Sequence, residues 1–320
     1  MQSLVVILAM VTLVFLGVYV IGNPVDVLID QDAETVDIER MMTMLGLDKP
    51  LWEQFLLYLG NLFRGEMGLS FAYGEPALEL IVARVPATLE LVLVAMLIAL
   101  TIALPIGLWA GLRPHLRAVR LVMGTSLVGV SIPNFWQGLL LISLFAVTMD
   151  WLPAGGRGQV DTVFGITSSL WTADGWAHLV LPATNLALFN TALIIRLVRA
   201  NVREIVLLDF VKYAHAKGLH PSRVIFVHIF RNALVVLVTV LGLEIGSLVA
   251  FSVITETIFA WPGMGKLLID SVNILDRPVV VAYLIVVVCM FVAINLVVDV
   301  FYSVIDPRIR LSDMGDSRRD

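Results

Sequence analysis

Apolar residues run along this chain in long blocks rather than in alternation. Charge-free stretches extend from Ser3 to Ile21, Leu91 to Leu112, Leu121 to Met149, Leu179 to Ile195 and Pro278 to Val298. A sixth, Asn232 to Thr255, is interrupted only by Glu244. Crossing the hydrocarbon of a bilayer takes roughly 20 apolar residues in a helix rising about 1.5 Å per residue. Backbone groups in lipid must also bond within their own segment. Each block is therefore predicted to be helical, the short fourth one extending back through Trp176 and His178. The pattern predicts an all-α integral membrane protein of about six transmembrane helices. Nothing basic precedes the first block and no A-x-A site follows it, so it reads as an uncleaved span.

Charge between the blocks sets the orientation, because Lys and Arg collect on the cytoplasmic side. The connection after the second block holds Arg113, Arg117 and Arg120 and no acid. The one after the fourth, Arg196 to Arg231, carries seven basic residues against Glu204 and Asp209, and the tail adds Arg308, Arg310, Arg318 and Arg319. Opposite them, Gly22 to Pro86 holds eleven acids and four basic residues. Both signals give an N-in/C-in topology. The chain divides into a first helix (1–21), an extracytoplasmic segment (22–86) and a core (87–320). Within the core, spans fall near 87–112, 121–149, 176–196, 232–256 and 278–304, with a cytoplasmic loop at 197–231 and a tail at 306–320. In the outer segment, Pro50 followed by Leu51, Phe55, Leu56, Leu59 and Leu62 predicts an amphipathic helix with proline in its first turn and Asp48 as cap. Trp151, Trp171, Trp176 and Trp261 all fall near the outer interface, where amphipathic rings are favoured.

Composition narrows the chemistry. With 59% hydrophobic and 15% charged residues and a mean hydropathy of +0.94, the chain has too little charge to cover a water-facing surface of this size. Cys289, the single cysteine, lies in an apolar run and reads as a small buried residue. Gly263-Met264-Gly265-Lys266 fails as a phosphate loop, with Ala260 and Leu267 where Gly and Ser/Thr are required. Gly155-Gly156-Arg157-Gly158 likewise fails the dinucleotide pattern. The five histidines do not pair with carboxylates at ligand spacing, and His215, His220 and His228 suit a solvated or interface face. No catalytic residue, metal site, cofactor or nucleic-acid partner is expected. Uphill transport by such a chain needs an energy source elsewhere.

Two sets of residues remain as functional candidates. The loop from Arg196 to Arg231 is far longer than two spans need. It reads as helix, turn, helix, with Gly218 ending the first in a left-handed conformation and Pro221 opening the second. Before the turn, Tyr213, Ala214 and Ala216 leave a slim face that another protein could approach. An amphipathic pair lying on the anionic inner leaflet fits the same residues equally. Inside the membrane, Pro133, Asn134 and Gln137 can kink the third span and line a path, or serve as helix-helix glue. Glu244 sits mid-span beside Gly242 and Gly246, facing a water-filled path or a subunit boundary. Glu256 and Asp299, near span ends, read as solvated or capping.

Residues 211–234, VKYAHAKGLHPSRVIFVHIFRNAL, resemble the cytoplasmic signature of permease subunits of dipeptide/oligopeptide-class bacterial ABC importers. GNPVDVLI (22–29), LGLDKPLWEQFLLYLGNLFRGEMGLS (45–70), RVPATLELVLVAMLIAL (84–100), SIPNFWQGLLL (131–141), WLPAGGRG (151–158), TETIFAWPGMGKLLIDSV (255–272) and NLVVDVFYSVIDPRIR (295–310) agree in order along the chain. The resemblance implies a type I ABC importer permease-like fold in the bacterial plasma (inner) membrane. It implies a non-catalytic subunit that passes peptides, or a related solute such as a nickel chelate or glutathione, by alternating access; a secondary transporter, for which Glu244 alone speaks, is the other alternative. The implied partners are a second, homologous permease, two cytoplasmic ABC ATPase subunits and an extracytoplasmic solute-binding protein. The loop turn becomes the ATPase-coupling helix, with Gly218 at the signature glycine and Tyr213, Ala214, Ala216, Lys217 and Leu219 flanking it. One departure is Val236, where the family often has proline, which leaves a kink at the start of the fifth span open.

Overall fold

The computed structural model describes residues 2–21 and 49–305. The stretch 22–29, Asp48 and the basic tail lie outside them. Helices dominate: α1 (Gln2–Ile21), α2 (Leu51–Phe63), α3 (Ala77–Leu112), α4 (Arg117–Ser131) and α5 (Asn134–Leu141), which runs on as a π-helical stretch, Ile142–Thr148. After them come α6 (Ala173–Val206), α7 (Asp209–Ala216), the short α8 (Pro221–Arg223), a second π-helical stretch (Val224–Phe230), α9 (Arg231–Ile258), α10 (Met264–Asn273) and α11 (Arg277–Ile305). Among the described residues, Ala77–Leu112, Ala173–Val206 and Arg277–Val298 are long and apolar enough to cross a membrane, and Leu8–Gly17 and Asn134–Thr148 are shorter apolar helices.

Several boundaries differ from the sequence expectation. The block Leu121–Met149 is not one helix. Proline disfavours helical geometry in the residue before it, and Ile132 is extended (φ −82°, ψ 127°), so α4 stops and Pro133 caps α5. Helix α3 begins at Ala77, ten residues before position 87. Helix α6 runs on to Val206, well into the expected loop. Pro50 stands at the N-cap of α2 rather than inside it. The outer connection at 150–177 contains an antiparallel hairpin pairing β1 (Asp161–Val163) with β2 (Ile166–Ser168). No break follows Arg231, and α9 is continuous across Val236.

The chain forms two compact units, one from Met1–Thr88 with Pro262–Val292, the other from Leu89–Trp261 with Ala293–Asp320. In the first, Val14 of α1 and Val281 and Ile285 of α11 form a core against which Tyr58, Leu62 and Leu284 pack. Phe15 meets Phe55 edge-on at 5.1 Å between ring centroids. Burial pushes the Tyr58 hydroxyl up to about 12. The Thr88 hydroxyl accepts the backbone N–H of Met264 (3.0 Å), the first residue of α10. The fully buried Asp276 accepts from the Ser70 hydroxyl and from the Phe71 N–H at 3.2 Å, tying the loop after α2 to the start of α11. Cys289, expected to be buried, is exposed on α11.

In the second unit α6 is central, with α4, α5 and α9 packed against it. Along α3, Ala95, Ala99, Ala103, Gly107 and Gly111 recur every fourth residue on one buried face. A methyl added to Gly107 or Gly111 would fall 2.6 Å from Val198 or Val202 of α6 respectively, so these two glycines let the helix backbones approach closely. Trp261, expected in the interfacial belt, is instead fully buried, while Trp151, Trp171 and Trp176 are exposed.

Candidate functional site

Helix α7 ends where the sequence places its stop. Gly218 has φ +71°, a left-handed conformation open to glycine at no steric cost. The Gly218 N–H reaches the His215 carbonyl at 2.9 Å and the Leu219 N–H reaches that of Ala214 at 3.3 Å. His220 then caps α8, its ring nitrogen accepting from the Ser222 N–H, with Pro221 in the first turn. The result is a helical hairpin whose turn is closed by local hydrogen bonds. Val211 and Ala214 face inward, while Tyr213, Ala216, Lys217 and Gly218 are exposed and Leu219 is half-buried. The Lys217 ammonium sits 4.6 Å from the centre of the Tyr213 ring, a cation–π contact that orders both. At the base of the hairpin the Lys212 hydrogen bond (2.9 Å) and charge hold the Asp209 carboxyl below the usual carboxylate range. Leu207, Leu208 and Phe210 add exposed apolar surface next to Tyr213.

The predicted path residues do not form one group. Asn134, placed by the break at Pro133, joins Asn185 of α6 and Thr255 of α9. The Asn185 amide donates to the Asn134 carbonyl oxygen (2.6 Å) and the Thr255 hydroxyl (3.2 Å), and the Asn134 amide donates to the same hydroxyl (3.3 Å). Asn185 is 1% exposed; its NH2 group makes the bonds of this junction of three helices, while its carbonyl oxygen is buried without a hydrogen-bond partner among the described residues. Gly138 lies beneath it against Ile258 and Phe259. Pro133 is exposed and Gln137 half-buried. Glu244 lies eleven residues before Thr255, about 16 Å along α9, half-buried and without a hydrogen-bond or ion-pair partner among the described residues. Glu256, expected to be solvated or capping, is fully buried and accepts from the Ser252 hydroxyl at 3.2 Å. Asp299 lies outside the described side chains.

A second buried polar centre escaped the sequence reading. Glu90, 6% exposed, pairs with the Arg157 guanidinium at 2.5 Å. Its other oxygen accepts from Ser168 at 3.2 Å and from Ser169. Gly155 and Gly158 deliver Arg157 there: methyls on them would strike the Phe259 carbonyl and the Asp174 carboxylate. The signal existed, a glutamate bordering a charge-free run and an arginine among glycines, but nothing in the order of residues joins positions 67 apart. Asn185 and Thr255 were legible only as polar residues inside apolar blocks.

The described residues thus offer a helical hairpin, buried polar junctions and no cluster of three or more groups able to hold a metal ion. Residues 103–311 match the family described as the inner membrane component of binding-protein-dependent transport systems, and the chain belongs to that family. It is a multi-pass inner-membrane permease subunit of the ABC importer class. It is 41% identical to the di/tripeptide transport system permease of Pseudomonas aeruginosa over 302 residues, 90% of each chain. It is 37% identical to the oligopeptide transport system permease of Bacillus subtilis, again over 90% of each. It is 36% identical to the glutathione transport system permease of Escherichia coli, over 93% of this chain and 92% of that one. In fold it is similar to the inward-facing MetNI methionine ABC transporter, with a TM-score of 0.56 at 20% identity over 72% of this chain and 99% of that one.

Proposed function

We propose that this chain forms, with a second homologous permease, the membrane path of an ATP-driven peptide importer. Separate cytoplasmic ATPases energise it through the hairpin centred on residues 213–219. The observation that carries this reading is the hairpin itself: a left-handed Gly218, a capped turn and an exposed face of Tyr213, Ala216 and Lys217 on two short, internally satisfied helices. A rigid element transmits a push, and small residues let a partner's backbone come close. The di/tripeptide and oligopeptide relatives support peptides as cargo. The glutathione relative supports a second reading, a modified tripeptide. Solute reaches the path from an extracytoplasmic binding protein. The hairpin tip at Phe164, 98% exposed, and the acidic outer segment are suited to meet it. On this reading Asn134 shapes the path by fixing the α5 break, Pro133 and Gln137 flank it, and Glu244 faces the second permease.

The test is co-purification of the ATPases with variants of the exposed face. Gly218→Arg and Tyr213→Asp are expected to insert in the membrane normally yet to lose ATPase association and peptide uptake. Tyr213, 62% exposed, makes the second variant independent of any strain at Gly218. Full ATPase association in both variants refutes the docking assignment. Uptake by the chain alone, without ATPases, refutes the importer reading.

A further inference from the structure

Between the last three turns of α3 and the π-helical stretch Val224–Phe230 lies an open groove of ≈ 660 Å³. Leu104, Leu108 and Trp109 form one wall, and Val224, Phe226 and Phe230 the other. Arg113 and His215 stand among its lining residues, and no acidic side chain lines it. Arg113 follows directly on the end of α3, is exposed, and forms no ion pair among the described residues. Arg117 and Arg120 follow in the sequence.

We propose that this groove binds one anionic phospholipid, with acyl chain along the apolar walls and phosphate at Arg113. The chemistry matches in both halves. The apolar length from Leu104 to Leu112 is about 12 Å of helix, placed where a spanning helix passes from hydrocarbon into the headgroup layer. The unpaired guanidinium then sits at the depth of the phosphates, where basic pockets at the cytoplasmic ends of spanning helices take acidic headgroups. A helix of the second permease would cover the same walls but leave Arg113 enclosed without a counter-charge, which is unfavourable. A polar solute would find apolar walls on both sides. Because His215 and Pro221 line the groove, the lipid bridges α3 and the hairpin, so its occupancy sets how firmly the hairpin is held. The inner-leaflet position rests on the topology proposed above; the binding itself does not.

The experiment is native mass spectrometry of the intact transporter, taken from nanodiscs of phosphatidylcholine alone or with phosphatidylglycerol. We expect one phospholipid retained per chain, enriched about fivefold in phosphatidylglycerol, the discrimination that one arginine near a headgroup supplies. Arg113→Gln is expected to abolish the enrichment while lipid is still retained. Leu108→Trp, which fills the groove, is expected to abolish retention of both lipids. If Leu108→Trp fails to assemble, Arg113→Gln decides alone. Equal retention of the two lipids by the unmodified protein, unchanged enrichment in Arg113→Gln, or cross-linking of position 108 to the second permease with no lipid retained overturns the proposal. Loss of ATPase docking with lipid still retained counts against the coupling reading and leaves this one standing.

Discussion

Close approach of α3 and α6 is the packing feature most sharply testable by a single methyl group. In Gly107→Ala the new Cβ would lie 2.6 Å from the Val198 Cβ and 3.1 Å from the Ile195 carbonyl oxygen. Carbon atoms settle at about 3.5–4.0 Å, so the helices must part by about 1 Å. Overpacking by one methyl costs roughly 1–3 kcal/mol, while alanine recovers about 0.8–1 kcal/mol of helix propensity. The net expectation is a loss of about 1 kcal/mol, against a gain at Gly60→Ala, where nothing lies within 4 Å. Gly111→Ala meets Val202 in the same way and pushes the same two helices in the same direction. The double variant should therefore lose less than the sum of the singles.

Rescue separates this mechanism from a general intolerance of the site. The nearest atoms on α6 are the Val198 Cβ (2.6 Å) and Cγ1 (2.8 Å), so Val198→Ala keeps the tighter contact and should restore only part of the loss. Val198→Gly removes both atoms; it costs stability of its own, but in that background Gly107→Ala should add little further loss. Thermal unfolding of the purified transporter followed by tryptophan fluorescence reads all of these variants. Gly107→Ala as stable as Gly60→Ala, or fully rescued by Val198→Ala, refutes the reasoning.

Further variants probe the three remaining centres. Arg157→Met strands the buried Glu90 and should destabilise by about 3–5 kcal/mol, whereas Glu90→Gln with Arg157→Met should recover much of that in the same unfolding assay; a harmless single variant sinks the pairing. Asn185→Ala removes two hydrogen bonds from the α5–α6–α9 junction and, if these act as helix glue, should cost about 0.6–1.7 kcal/mol with uptake per folded transporter unchanged; a stable variant with lost uptake would instead place the junction in the path. At Gly218, where only the backbone objects because nothing lies within 4 Å, Gly218→Asn should keep ATPase association and Gly218→Val, paying about 1–2 kcal/mol for a left-handed residue, should weaken it; equal behaviour of the two would show that φ at 218 does not matter.

What could be read from the sequence was what a few adjacent residues decide. Gly218 and Pro221 announce the hairpin because a left-handed stop and a first-turn proline are local demands. Apolar blocks announce helices because lipid leaves no other backbone solution. Block ends were poorly placed for the same reason: hydropathy marks where lipid is tolerated, not where hydrogen bonding stops. Helix α3 therefore runs through Arg84 and Pro86, and α6 runs ten residues past Arg196. Proline at 133 was legible as a disturbance, yet whether it bends or breaks a helix depends on what receives the freed groups, here a new helix cap. Glu90–Arg157 and Asn134–Asn185–Thr255 could not be seen, since pairing across 67, 51 and 70 positions is decided by packing.

Helix α6 gives these separate pieces a common mechanical frame. Its N-cap Thr172 binds the Gly175 N–H, and the adjoining Ser169 hydroxyl is held by Glu90. The helix is 34 residues long, about 51 Å, and ends at Val206, two residues before Leu208, the N-cap of α7. In between it carries Asn185 of the polar junction and the two valines that meet Gly107 and Gly111. A displacement of the hairpin therefore cannot be absorbed at its own base without moving a helix packed along most of its length, and packed interiors shift between discrete arrangements rather than deform continuously. If the hairpin is the handle, α6 is the element it moves, and loosening the α3 contact at Gly107 should weaken the coupling of ATP hydrolysis to uptake more than it weakens ATPase binding. Equal losses in the two would mean that α3 and α6 matter for assembly alone.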